Sequence, residues 1–235
     1  MTKLLISVKN VDEAQLALQA GADYIDLKDP LVGALGNLDD QVSSEIIKCI
    51  DKRVLVSATV GENHSVSTEL LEAVDKKFDI GVDIVKLAIS SFFEDEVFLN
   101  ALKNRVVSKN IKLVAVMFAD EEVNFNWISK LAQLGFYGVM LDTNNKKQNL
   151  LSSTKDKEIE LFVKNCEIYG LQSGLAGSLR VEYIDRLVPF SPNYLGFRSG
   201  VCQAMQRENS MQYELVKSVK NQLYKHNKGT EKACA

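Results

Sequence analysis

Asp26 and Lys28 stand one residue apart in the run Asp26-Leu27-Lys28-Asp29-Pro30, and their types suit acid–base and nucleophilic chemistry. In an extended segment, alternation puts both on one face and Leu27 on the other. Similar residues recur at later apolar runs: Lys86 inside Asp83–Ile89, Asp142 followed by Lys146, and Arg198. A lysine that is partly desolvated and close to other cations has a lowered pKa. Its amine attacks carbonyl carbon and forms a Schiff base. An aspartate within reach moves protons. The set points to carbonyl chemistry of the aldolase kind, with neither metal nor cofactor. The plainer alternative is that the lysines reach out from strand ends along their stems while the aspartates cap helices. That suits any one of these residues better than charges on three strands at once.

A second signal concerns anions. Gly174-Leu175-Ala176-Gly177-Ser178-Leu179 and Gly196-Phe197-Arg198-Ser199-Gly200 each follow an apolar run. Small residues let a phosphate approach backbone N–H groups closely. Gly177, Ser178, Arg198, Ser199 and Gly200 fit that task, with tight turns and a helix N-cap as the simpler reading. Together the two signals suggest a phosphorylated carbonyl compound.

These residues need a frame that brings them together. Short apolar runs, several rich in Val and Ile, occur at Leu4–Val8, Asp23–Leu27, Val54–Val60, Asp83–Ile89, Lys112–Phe118, Tyr137–Asp142, Leu171–Ala176 and Tyr194–Arg198. They read as strands buried on both faces. Between them lie segments of helical period: Val11–Ala20, Asp39–Ile50, Ser67–Phe78, Phe93–Ser108, Asn124–Leu134, Ser152–Tyr169, Ser178–Leu187 and Asn209–His226. In the first, Val11, Ala14 and Leu18 share a face and Gly21 stops the helix. Eight alternating strand–helix units predict an α/β fold, a single-domain (β/α)8 TIM barrel over residues 1–224. An open doubly wound sheet competes but usually has fewer strands. Residues 225–235 read as a polar, flexible C-terminal tail. In such a barrel the active site lies at the carboxyl ends of the strands, and even-numbered strands share interior layers. Lys28, Lys86 and Asp142 are therefore expected to meet at the mouth with Arg198 nearby.

Other features narrow the class. A net charge of -3 argues against nucleic acid as a partner. No apolar stretch is long enough for a membrane helix, and residues 1–8 do not read as a secretory signal. Four scattered cysteines (Cys49, Cys166, Cys202, Cys234) read as free thiols, which suggests the cytoplasm. With only His64 and His226 present, a histidine-dependent nucleophile is a poor fit. Cys202 reads as structural, Trp127 as a packing residue, and the hydroxyl pairs Ser57/Thr59 and Ser7 with Lys9 as either mouth-lining or plain strand residues.

The run Asp26-Leu27-Lys28-Asp29-Pro30-Leu31-Val32-Gly33-Ala34-Leu35-Gly36 resembles the strand-two motif of the (5-formylfuran-3-yl)methyl phosphate synthases, also called 4-(hydroxymethyl)-2-furancarboxaldehyde-phosphate synthases. Val56–Gly61, Val85-Lys86-Leu87, Leu141-Asp142-Thr143 and Gly174–Leu179 are similar to that family's later motifs. The resemblance implies a lyase that joins two molecules of glyceraldehyde 3-phosphate, with loss of phosphate and water, in the biosynthesis of methanofuran-type carriers. Carried over residue by residue, it implies Lys28 as the Schiff-base lysine and Asp26 as its acid–base partner. Lys86, Asp142 and Lys146 match the remaining catalytic positions, with the two lysines stabilising phosphate or oxyanion charge. The family's loop after the counterpart of Asp142 runs towards a Lys-Asp-Gly-Lys pattern. Here it reads Asn144-Asn145-Lys146-Lys147-Gln148-Asn149, so Lys147 competes with Lys146 for the loop role.

The alternatives are a class I aldolase acting on another sugar phosphate, and a non-catalytic barrel that binds a phosphate ligand. The expected partner is a small triose phosphate, and the expected assembly a homo-oligomer.

Overall fold

Each apolar run folds as a strand because its alternate side chains find two different apolar surroundings. The computed structural model describes residues 1–62 and 64–233, with side chains described through Lys228. Eight strands form one closed parallel barrel in sequence order. They are β1 (Lys3–Val8), β2 (Tyr24–Leu27), β3 (Leu55–Thr59), β4 (Ile84–Ala88), β5 (Lys112–Phe118), β6 (Gly138–Asp142), β7 (Gln172–Leu175) and β8 (Tyr194–Phe197). Residues of one parity, such as Ile6, Ile25, Leu27, Val85 and Leu141, pack outward against the helices. Residues of the other parity, such as Leu5, Tyr24, Ile84, Val116 and Met140, fill the barrel. Two apolar layers thus share one sheet, the arrangement that closed α/β barrels require.

The helices are α1 (Val11–Ala20), α2 (Asp40–Ile50), α3 (Ser67–Asp79), α4 (Glu96–Lys109), α5 (Trp127–Gln133), α6 (Leu150–Ser153), α7 (Asp156–Ile168), α8 (Ile184–Leu187) and α9 (Tyr213–Ala233). The Asn10 side chain accepts the Glu13 N–H to start α1, and Gly21 ends it in the left-handed region at φ 94°.

The connections depart from the sequence expectation at several places: the helix expected from Phe93 starts at Glu96 after a separate turn over Ser91–Glu94, and the one expected from Asn124 starts at Trp127. The helix expected over Ser152–Tyr169 breaks into α6 and α7 at Thr154, which is extended. The helix expected from Ser178 is delayed, because Gly177 and Ser178 both have positive φ, 105° and 49°, which a right-handed helix cannot use. Only one-turn elements follow, over Val181–Tyr183 and in α8. The last helix starts at Tyr213 rather than Asn209, because Met211 pairs with Cys202 as a bridge and holds the preceding segment as a loop. Among the described residues α9 continues past Lys225 to Ala233, where the tail was expected. Asn227 ties this stretch to the barrel: its amide donates to the Thr2 carbonyl at 3.1 Å, and its Oδ1 accepts the Thr2 N–H at 3.1 Å. Cys234 lies outside the described residues. No described helix is long and apolar enough to cross a membrane.

Candidate active site

Inward alternation on β2 carries Asp26 and Lys28 into the upper barrel, as their spacing requires. Asp26 is buried and fully engaged. Its Oδ2 accepts the Ser7 hydroxyl at 2.8 Å, and its Oδ1 accepts the Ser57 hydroxyl at 2.6 Å. The Lys86 ammonium of β4 sits 2.6 Å from the same Oδ1. Both members of this pair are buried, where an ion pair persists only with additional hydrogen bonds of this kind. Of the strand hydroxyls that the sequence leaves open, Ser7 and Ser57 are thus the supports of Asp26, while Thr59 donates to the Gly36 carbonyl at 2.8 Å.

Lys28 pairs elsewhere. Its Nζ lies 3.7 Å from Oδ2 of Asp142, across the barrel on β6. Asp142 also accepts the Lys146 ammonium at 2.9 Å and the Thr143 N–H at 2.7 Å. Burial brings the Lys28 ammonium down to about 8; Asp142 works against that fall, while Lys146 adds to it. Burial disfavours ionised Asp142, but Lys146 and Lys28 outweigh it and hold the carboxyl well below its ordinary range. The site therefore combines an ionised carboxylate with an amine that loses its proton near neutrality. The carboxylate facing Lys28 is Asp142, whereas Asp26, expected as its partner, is paired with Lys86.

Of the two loop lysines, Lys146 is the one that reaches Asp142. Its ammonium also reaches the Thr143 carbonyl, while Lys147 is exposed. The loop turns without an Asp-Gly pair because Asp120 accepts the Asn144 and Asn145 N–H groups at 2.7 and 2.6 Å. Asn145 then accepts the Lys147 N–H at 3.0 Å, a side-chain substitute for a backbone turn.

The expected anion residues divide. Gly177, Ser178, Arg198 and Ser199 all line the inner chamber above Lys28. Position 177 requires glycine: φ is 105°, and a Cβ would fall 2.9 Å from Cγ2 of Thr143. Gly200 is buried and lines no part of the chamber. A Cβ there would meet the Leu179 carbonyl oxygen at 2.1 Å, so its role is the close packing of two loops. The Arg198 guanidinium is spent on structure. It forms a buried pair with Glu13 of α1 and donates to the carbonyls of Ser7 at 3.2 Å and Arg207 at 2.7 Å. This corrects the expectation for Arg198, because a guanidinium with its donors consumed has little left for a phosphate.

Arg207 is the residue that the sequence reading missed. It is half-buried at the chamber rim, in the loop between β8 and α9. Its one signal in the sequence is an arginine in the loop after the last strand, where phosphate seats occur in this fold. The remaining candidates are inert. Cys202 gives its thiol to the Arg198 carbonyl at 3.2 Å, and burial raises its pKa. Trp127 packs edge-on to Phe93 with ring centroids 5.8 Å apart.

A closed parallel barrel with a buried lysine–carboxylate network at the carboxyl ends of its strands is the frame of a (β/α)8-barrel enzyme. Solved structures agree on the fold. Phosphoribosyl anthranilate isomerase from Thermus thermophilus matches with a TM-score of 0.67 and 14% identity, over 95% of this chain and 99% of its own. A 3-hexulose-6-phosphate synthase matches with a TM-score of 0.65 and 16% identity, over 94% of this chain and 99% of its own. The particular family follows from the sequence comparisons. The family model of 4-HFC-P synthase matches residues 4–220. The (5-formylfuran-3-yl)methyl phosphate synthase of Methanococcus aeolicus is 34% identical over 92% of this chain and 97% of its own. That of Methanocaldococcus jannaschii is 33% identical over the same shares. A Methylorubrum extorquens protein that carries this name provisionally is 37% identical over 89% of this chain and 86% of its own. The chain belongs to the 4-HFC-P synthase family and is an enzyme of that type.

Proposed function

We propose that the enzyme condenses two molecules of glyceraldehyde 3-phosphate to (5-formylfuran-3-yl)methyl phosphate through a Schiff base on Lys28, in the biosynthesis of a methanofuran-type carrier. The observation that carries this reading is the Lys28 amine, with its pKa brought to about 8, held 3.7 Å from an ionised Asp142. At pH 7 roughly a tenth of Lys28 is already the neutral nucleophile. The relatives' names support the product.

The Lys28 nitrogen adds to the aldehyde carbon of one triose, and loss of water leaves an iminium. The iminium draws electrons from the neighbouring carbon and acidifies its proton. Asp142, facing Lys28, accepts that proton. The enamine so formed breaks the C–O bond to the phosphate on its third carbon and releases inorganic phosphate. That carbon, nucleophilic as the resulting enol, adds to the ketone carbon of the second triose after its aldehyde–ketone tautomerisation. Ring closure and aromatisation then follow, and water hydrolyses the product from Lys28. Two trioses lose one inorganic phosphate and two waters in all, which balances the furan product. Lys146 beside Asp142, and Lys86 deeper in the chamber, offset the oxyanion and phosphate charge that develops. Asp26, with its oxygens held by Ser7, Ser57 and Lys86, positions Lys86.

The test is incubation of the purified protein with glyceraldehyde 3-phosphate alone. A near-ultraviolet-absorbing product of the mass of the furan aldehyde phosphate, with matching phosphate release, is expected. Triose adducts without furan would favour an aldolase with another partner substrate.

A further inference from the structure

The inner chamber above Lys28 has a volume of ≈ 40 Å³, room for a few waters. A triose phosphate bonded to Lys28 must therefore extend beyond it. Beside it lies an outer vestibule of ≈ 680 Å³, and Lys146, Ser178, Ser199 and Arg207 form the boundary between the two. The vestibule is cationic: Lys147, Arg180 and Arg207 line it with Lys146, against Glu208 alone. Two phosphate dianions must be accommodated if two trioses react, and the turn at Gly177 and Ser178 offers a place for one.

The arginines differ in what they have left to give. Arg198 is consumed by Glu13 and three backbone carbonyls. The Arg207 guanidinium makes one hydrogen bond among the described residues, to the Gly33 carbonyl at 2.7 Å. The residue borders both chambers and keeps donors to spare. Arg198 donates to the Arg207 carbonyl at 2.7 Å, so the committed arginine fixes the backbone of the available one. Arg180 is 47% exposed, and its contact to Glu182 is loose at 3.9 Å.

We infer that Arg207, with Arg180 and Lys147, binds the phosphate of the second triose, the one not joined to Lys28. The inference rests on the two-triose reading above. Arg207 also links the loop after β8 to the loop after β2 through the Gly33 carbonyl. Arg198 acts through Arg207 as a positioning residue.

The test compares the wild-type enzyme with Arg207→Gln, Arg207→Lys and Arg180→Gln, using glyceraldehyde 3-phosphate as substrate and inorganic phosphate as a direct ligand. Arg207→Gln is expected to raise KM and weaken inhibition by inorganic phosphate, each by about tenfold or more, the loss of one charge-assisted contact. Borohydride trapping of one triose on Lys28 should persist, which also shows that the variant folds. Arg207→Lys should restore part of the loss, and exposed Arg180→Gln should give a smaller shift in the same direction. Calorimetric titration with inorganic phosphate should find two sites per wild-type chain and one in Arg207→Gln. Furan formation with unchanged KM and phosphate inhibition in Arg207→Gln would overturn the assignment. If wild type forms no furan, the reaction reading fails; the titration still decides the anion site, and equal phosphate binding in wild type and Arg207→Gln would overturn it.

Discussion

Lys28 and Asp142 face each other across the barrel mouth at 3.7 Å, although 114 positions separate them, as their numbers show. The distance is longer than that of a tight ion pair, and Lys146 takes the shorter contact with Asp142 at 2.9 Å. Lys146 thereby leaves Lys28 less compensated and closer to its neutral form. The geometry favours a nucleophile over a structural salt bridge.

The first consequence is a pH dependence. With Lys28 at about 8, kcat/KM should rise with pH through that region and level off above it. Replacing Lys146 by Met removes a cation that lowers Lys28, so the rise should move to higher pH. A pH–rate profile of wild type and Lys146→Met checks both. A rise unmoved by the substitution would remove Lys146 from this role.

Lys28 also bears on stability. Its folded pKa of about 8 lies below the ordinary 10.5, so the unfolded chain binds the extra proton between those values. Stability should rise with pH across that window, and below it the strained ammonium costs about 3 kcal/mol. Lys28→Met leaves Asp142 with Lys146 and the Thr143 N–H, so it should abolish activity yet match or exceed wild-type stability at pH 7. Urea unfolding measures this; a loss above about 1 kcal/mol would contradict it.

Asp26 should behave in the opposite way. Asp26→Ala leaves the Lys86 ammonium buried without its partner. Such a change costs about 3–5 kcal/mol. Activity and stability should fall together, and thermal unfolding should show a clearly lowered midpoint.

Gly200→Ala should destabilise without touching substrate, because the new Cβ meets the Leu179 carbonyl at 2.1 Å. The expected loss is about 1–3 kcal/mol, with KM unchanged in the folded fraction. A raised KM at full stability would return Gly200 to the phosphate site.

The barrel was legible because its signal is periodic: Leu27 outward between Asp26 and Lys28 inward is one instance of an alternation repeated on every strand. Lys28, Lys86 and Asp142 were legible for the same reason, since strand parity places them. What alternation does not encode is the pairing. Asp26 is two residues from Lys28 but bonds Lys86, because the register sets Asp26 opposite Ser57 and Thr59 opposite Lys86. Arg198 and Arg207 were hidden for another reason. Their roles depend on loop paths: the Arg198 guanidinium turns to Glu13 on α1, and Arg207 reaches over the mouth to Gly33. No periodic pattern records such reaches.

The most direct test of the central claim is borohydride reduction of the enzyme in the presence of glyceraldehyde 3-phosphate, followed by peptide mass mapping. The expected result is one reduced triose adduct on Lys28, absent in Lys28→Ala, with furan aldehyde phosphate forming when borohydride is left out. Furan formation without any adduct on Lys28 would contradict the Schiff-base account.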